Sequence, residues 1–388
     1  LTLQVNTVYF IGPLLYCVKA TVLCCKCKGK GYDIHERGLL LMKRKTWVGL
    51  ALAAVMLVAA ACGNSGKSDG NANNSTGSNA SSGDKEKTYN IAIAQIVEHP
   101  SLDATREGFL AALADAGYEE GKNLKVDYNN AQGEQSNVES IAQKIAGSKS
   151  DLALGIATPS AMSLTDIKDF PVLFAAVTDP IDAGLVSQLE APGGNITGAA
   201  DTNPESIVMT MDFIADQFPD VKTVGVVINK GEPNAVIMAK VAEEALAKHN
   251  IKLIEAAITN SSEVQQAAES LVGRADAIYV TLDNKVVSAI DAVIEVANKN
   301  DIPFFSADRD SVENGAFAAV GFKYYDHGYE VGQMAVEILK GKNPGEMDVT
   351  VPQKLDFIFN MKAAAEQGIT VTDAMKAYVQ DPANNILE

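Results

Sequence analysis

From residue 90 onward the chain alternates short apolar runs with helical patterns, and it does so twice over. In the first half the extended runs fall at residues 90–96, 124–129, 152–156 and 172–177, with helical stretches at 103–116, 135–147 and 159–167 between them. In the second half extended runs at 223–228, 252–257, 277–280, 303–306 and 316–320 alternate with helical stretches at 234–249, 262–271 and 285–297. Strand–helix alternation of this kind predicts parallel sheets covered by helices on both faces, an α/β fold. Its repetition predicts two similar three-layer domains. Phe174 and Phe305, each shortly after a proline, hold similar places in the two halves.

The turn-rich segment Ala191-Pro192-Gly193-Gly194-Asn195-Ile196-Thr197-Gly198 separates the halves. A helical pattern at 325–339 and a late apolar run at 355–360 suggest that the chain crosses back near 322–326. The expected domains are therefore 89–198 plus 326–388, and 199–325. Two α/β domains joined by two or three crossovers form a hinge, with a ligand cleft at the carboxyl ends of both sheets.

Upstream, Met42-Lys43-Arg44-Lys45 precedes an apolar run from Trp47 to Ala61, and Cys62 follows three alanines. The run spans about 15 residues, short of the roughly 20 needed to cross a bilayer. Its basic start and small-residue end are those of a secretory segment. Residues 42–61 thus read as a lipoprotein signal, cleaved before Cys62, which then carries lipid (palmitate) on a new N-terminus. Ala59 stands where a leucine is usual. Residues 1–41 begin with Leu1, carry Cys17, Cys24, Cys25 and Cys27 without well-separated zinc-knuckle spacing, and read as sequence translated upstream of a start at Met42. Residues 62–88 comprise the lipidated cysteine and a tether rich in Gly, Ser, Asn and charged residues. Without residues 1–61 the chain carries 24 basic and 47 acidic residues, a surface that repels nucleic acid. It also contains no cysteine beyond Cys62, so disulfide chemistry is excluded.

Candidate ligand contacts lie where strands hand over to helices. Glu98 and His99 follow the first strand, while Ser101 and Asp103 read equally as helix caps. Thr158-Pro159-Ser160 offers hydroxyls and free N–H groups to a carboxylate, with capping of the next helix by Thr158 as the competing reading. Thr178-Asp179-Pro180 ends the next strand. There Asp179 is either an ammonium partner or a brace for nearby backbone. Asp283 and Asn284 stand at the corresponding point of the second half, again with capping as the alternative; Asp308, at the next such point, reads as an acceptor, with Arg309 placed to pair locally with it rather than to grip a ligand carboxylate. Phe322, Tyr324 and Tyr325 supply aromatic surface near the return crossing, for a ligand ring or for the core. No Gly-x-Ser-x-Gly elbow, phosphate loop or His-Glu-x-x-His is present, and the four histidines are dispersed, so an enzyme finds little support. No cofactor or metal is implied.

Gly155-Ile156-Ala157-Thr158-Pro159, Thr178-Asp179-Pro180, the 191–198 segment and Leu282-Asp283-Asn284 together resemble, in order and spacing, the substrate-binding lipoproteins of an ABC import family associated with tryptophan and other aromatic amino acids. The resemblance covers about residues 89–350. It implies a type I periplasmic-binding-protein fold and a monomeric receptor, lipid-anchored outside the cell membrane, that closes on a solute and delivers it to a permease driven by a cytoplasmic ATPase. It further implies that the Thr158-Pro159 loop holds a ligand carboxylate and that Asp283 and Asn284 contact the polar head. For an aromatic side chain, Ile96, Phe174, Phe322 and Tyr324 are the candidate walls. A lipoprotein sensor for a membrane signalling partner, or a receptor for a nucleoside or sugar, is the alternative.

Overall fold

The computed structural model describes residues 87–388; the expected signal segment, Cys62 and almost all of the expected tether lie outside the described residues. The first sheet is built from β1 (Tyr89–Gln95), β2 (Leu124–Asn130), β3 (Leu152–Ile156), β4 (Val172–Val177) and β5 (Ile196–Ala200), in the order β2-β1-β3-β4-β5 and parallel throughout. Helices α1 (Pro100–Asp115), α2 (Gln135–Ala146) and α3 (Thr158–Ser163) connect the strands. Every residue of β3, β4 and β5 is buried, as expected where helices cover both faces of a parallel sheet. The edge strand β2 keeps most of its residues partly exposed.

The chain then builds a second sheet: α4 (Pro204–Gln217), β6 (Thr223–Asn229), α5 (Pro233–Lys248), β7 (Lys252–Ile258), α6 (Val264–Glu269) and β8 (Ala277–Val280). It continues through α7 (Asn284–Val287), α8 (Ile290–Lys299), β9 (Phe304–Ser306), α9 (Arg309–Asn314) and β10 (Ala318–Gly321). The helical pattern expected at 285–297 is thus two helices, interrupted where Ala289 leaves helical geometry (φ −125°, ψ 30°).

Helix α10 (Tyr324–Leu339) returns to the first sheet and lies on α1. The approach is backbone to backbone. A Cβ at Gly328 would sit 1.9 Å from the carbonyl oxygen of Thr105, and one at Gly108 would sit 2.0 Å from that of Tyr325.

Beyond α10 the structure corrects the expected boundary. Strand β11 (Asp356–Asn360) pairs antiparallel with β10, and α11 (Met361–Glu366), α12 (Asp373–Lys376), α13 (Pro382–Asn385) and β12 (Ile386–Leu387) follow it. The second sheet therefore reads β12-β11-β10-β9-β8-β6-β7, and residues 356–388 join it rather than the first domain. The physical reason is the two-residue period of β11. Phe357 and Phe359 face one side and meet Phe213 at ring-centroid distances of 4.9 and 5.4 Å, while Ile358 points into the opposite core. Phe213, Phe305, Phe317 and Tyr378 complete that aromatic cluster.

Three segments cross between the sheets, after β5, after β10 and before β11. Two run side by side: Ala200 N–H donates to Thr350 O at 2.8 Å and Thr350 N–H to Gly198 O at 3.2 Å. Among the described residues no helix is long and apolar enough to cross a membrane.

Candidate ligand-binding cleft

Both sheets point the carboxyl ends of their strands at one cleft cavity, with about 300 Å³ of empty space when the solvent at its mouth is counted. From the first sheet, His99, Ser101 and Leu102 follow β1, Ala176 and Thr178 end β4, and Asp201 follows β5. From the second, Asn234 opens α5, Leu282, Asn284 and Val287 follow β8, and Asp308 caps α9. Tyr324, at the start of α10, closes the crossover side. Among the described residues neither a lysine nor an arginine lines the cavity, and two carboxylates do.

Asp201 is the less neutralised of the two. Its side-chain partners are hydroxyls: Tyr324 Oη donates to Oδ2 and Thr202 Oγ1 to Oδ1, each at 3.0 Å. Burial raises its pKa to about 6, against the opposing effect of these hydroxyls. Asp308 takes four donors: Ser306 Oγ at 2.9 Å, Ser311 N–H at 2.8 Å, Ser311 Oγ at 2.7 Å and, from the first domain, Ser101 Oγ at 3.2 Å. The last bond spans the cleft and ties the N-terminus of α1 to the start of α9. Nearby, burial and then the Asp308 charge raise the pKa of Asp310 to about 6.

Several polar atoms on this wall have no partner. Among the described residues, both imidazole nitrogens of His99 and Oδ1 of Asn234 are buried without a hydrogen bond of ordinary geometry, although the Asn284 side chain approaches the ring. Burial holds the His99 pKa below its ordinary value, against the opposing charge of Asp308, so the ring is neutral. Asn234 Nδ2 donates to Leu282 O at 2.6 Å and to Glu232 Oε2 at 3.4 Å, the same oxygen that accepts from Asn284 Nδ2 at 2.6 Å. Glu232 therefore holds the two asparagines side by side.

Of the residues expected from sequence, His99, Thr178, Asn284, Asp308 and Tyr324 reach the cavity wall. The others do not. Glu98 is exposed and accepts from Tyr128 Oη at 3.2 Å. Thr158 is the first residue of α3 rather than its cap; its hydroxyl is buried without a partner, and the cap is Ala157 at φ +72°. Pro159 lies on a separate groove with Met162 and Pro233, and Ser160 is buried beside it in α3. Asp179 braces its own turn, accepting from Ile181 N–H and Asp182 N–H at 3.0 Å each. Asp283, fully buried behind Asn284, accepts from the N–H groups of Asn229, Lys285 and Val286. Burial, then neighbouring Glu232, raises its pKa to about 7. Phe322 packs on Tyr324 and His327, at 5.0 and 5.6 Å, and lines a groove on the crossover side. Ile96 and Phe174 belong to the cores, so Tyr324 alone of the four proposed aromatic or apolar walls faces the cavity. Arg309 pairs with Glu313 at 2.6 Å and with Asn384 and Asn385, not with a ligand site.

Ser101, Asp201 and Asn234 are the polar wall residues the sequence left unassigned or assigned only to capping. A signal existed for two of them. Asp201 ends an apolar run just before Asn203-Pro204, and Asn234 follows Pro233 at a helix start, the same strand-to-helix pattern seen at Thr178-Asp179-Pro180.

Residues 90–382 match the family described as ABC transporter substrate binding protein. The chain belongs to that family. A tyrosine-binding protein of Clostridioides difficile (strain R20291) is 40% identical over 321 residues, 82% of this chain and 91% of the relative. Among solved structures, an ABC domain in complex with L-Trp from Streptococcus pneumonia superposes with a TM-score of 0.71 at 32% identity, covering 76% of this chain and 99% of that one. A ligand-free, open substrate-binding protein with adhesive properties from Clostridium difficile gives 0.57 at 38% identity, covering 77% and 98%. The more identical protein superposes less well, so the domain arrangement here is nearer to the L-Trp complex than to the open form. The Ser101–Asp308 bond across the cleft agrees with a closed arrangement.

Proposed function

We propose that this substrate-binding protein captures an aromatic amino acid between its two domains and presents it to an ABC permease coupled to an ATPase. The observation that carries the reading is the wall chemistry: a cleft cavity with two carboxylates, no cationic side chain among the described residues, and an apolar share from Leu102, Ala176, Leu282 and Val287. An ammonium group is the complement of Asp201, whose carboxylate is buried with only hydroxyl side-chain partners. A ligand carboxylate suits the N-termini of α1 and α10. Leu102 and Tyr324, in their first turns, line the cavity, and first-turn N–H groups have no intrahelical acceptor. Aromatic preference is supported by the tyrosine-binding relative and the L-Trp complex. Closure follows from contacts made only when the domains meet, so a ligand touching both walls shifts the population toward the closed form.

In this reading the protein is a receptor rather than an enzyme, acts as a monomer, and is held outside the cell membrane by lipid on Cys62 after cleavage of residues 42–61. Native mass spectrometry of the purified protein tests the ligand class. A retained mass equal to tyrosine, tryptophan or phenylalanine is the expected result. A retained sugar or nucleoside, with no shift on adding amino acids, would overturn it.

A further inference from the structure

We propose that His99 and Asn234 form a subsite for a hydroxyl on the ligand's aromatic ring, so that the protein prefers a phenol to a plain phenyl group. The inference rests on the aromatic amino-acid reading and goes beyond it by assigning the ring substituent. The two residues come from opposite domains and both line the cavity, with 8% and 5% of their surfaces exposed. Their side chains carry fully buried polar atoms without a partner among the described residues: His99 Nδ1 and Nε2, and Asn234 Oδ1. The neighbouring donors and one of the neighbouring carboxylates are engaged. Asn234 Nδ2 is committed to Leu282 O, Asn284 Nδ2 to Glu232, and Asp308 to three serines.

The unpaired set has a definite chemistry. A neutral imidazole offers one N–H donor and one bare nitrogen, and the amide oxygen of Asn234 is an acceptor only. A phenolic hydroxyl donates once and accepts as well, so it can give its proton to Asn234 Oδ1 and take one from His99. An indole N–H can donate to only one of these acceptors and takes no proton from His99. A phenyl ring satisfies neither and leaves buried polar atoms unpaired, which is the arrangement that lets a site reject an analogue lacking a hydroxyl. Asn284 sets the geometry, since it neighbours His99 and shares the Glu232 oxygen with Asn234.

The test is calorimetric affinity of the full chain for L-tyrosine, O-methyl-L-tyrosine and L-phenylalanine, in the wild type and in His99→Phe and Asn234→Leu. Wild-type protein is expected to bind tyrosine on the order of 100-fold more tightly than phenylalanine, with O-methyltyrosine also weak because it cannot donate. Each variant should lower the tyrosine-to-phenylalanine ratio about tenfold or more, through tyrosine alone. A wild-type ratio near one would overturn the inference, as would variants that weaken both ligands equally, which would place these residues on the amino-acid head group. The three wild-type ligands decide the matter even if a variant fails to fold. Wild-type protein that binds no aromatic amino acid would remove the broader reading itself, whereas equal binding of tyrosine and phenylalanine removes only the hydroxyl subsite.

Discussion

At the end of β8, Asp283 accepts three backbone N–H groups and lies behind the cavity wall; at the end of β5, Asp201 accepts from two side-chain hydroxyls and lies on it. Both are buried aspartates at the carboxyl end of a strand, and both have pKa values raised by burial, to about 7 and about 6. They differ in what fills their lone pairs. Asp283 is spent on holding α7 and the end of β6 in place. Asp201 keeps a carboxylate in a cavity whose described lining offers no cation, which is a standing demand for one from outside. The same division separates Asp179, bound to its own turn, from His99 and Asn234, whose atoms wait unpaired.

The largest effect that sharpens this contrast is expected from Asp201→Asn. Removing one partner of a buried charge pair costs about 2 to 5 kcal/mol, so amino-acid affinity should fall by on the order of 100-fold or more with the fold intact. In the wild type the ammonium needs the ionised carboxylate, so affinity should be full above pH 6 and fall as pH drops through it, about tenfold per unit well below. Asp201→Asn should flatten that profile between pH 5 and 7.5. A wild-type profile already flat over that range would detach Asp201 from the ligand's charge.

Asp283→Ala should do the reverse. Three N–H groups lose their acceptor, costing about 1 to 3 kcal/mol of stability and lowering Tm by several degrees, while affinity changes only a few-fold. A large affinity loss at unchanged Tm would move Asp283 onto the ligand.

His327→Leu is expected to cost about 1 to 3 kcal/mol. Burial lowers the His327 pKa to about 4, so the ring is neutral, and its Nε2 accepts the Ala176 N–H at 3.0 Å. Ala176 sits at φ +54° in a register shift of β4, and it lines the cavity. The variant leaves that amide without an acceptor, so a thermal melt should register it.

The smallest change is expected from Thr158→Val. Its hydroxyl has no partner, so replacing it with a methyl group should leave stability within about 0.5 kcal/mol or raise it slightly, with affinity unchanged. A tenfold loss of affinity would restore the carboxylate role that the Thr158-Pro159 loop suggested.

These cases show what could be read from residues alone. Strands such as β3 and β4 were legible because sheets buried on both faces leave continuous apolar runs, Leu-Ala-Leu-Gly-Ile and Val-Leu-Phe-Ala-Ala-Val. The return of β11 to the second sheet was not, because a strand's partner depends on which core its alternate side chains fill. Phe357 and Phe359 find theirs around Phe213. Strand-end polar residues were legible as a class, and His99, Thr178, Asn284, Asp308 and Tyr324 do reach the cavity. Their spare hydrogen-bonding capacity was not legible. It depends on backbone donors brought from distant segments, as Asn229 is to Asp283.

The cleft cavity is complementary to a zwitterion carrying an aromatic ring. Isothermal titration calorimetry with tyrosine, tryptophan, glucose and inositol measures it directly. One-site binding of at least one aromatic amino acid at pH 7.5, with no heat from the uncharged polyols, is the expected result. Saturable binding of a polyol with none by either amino acid would contradict it.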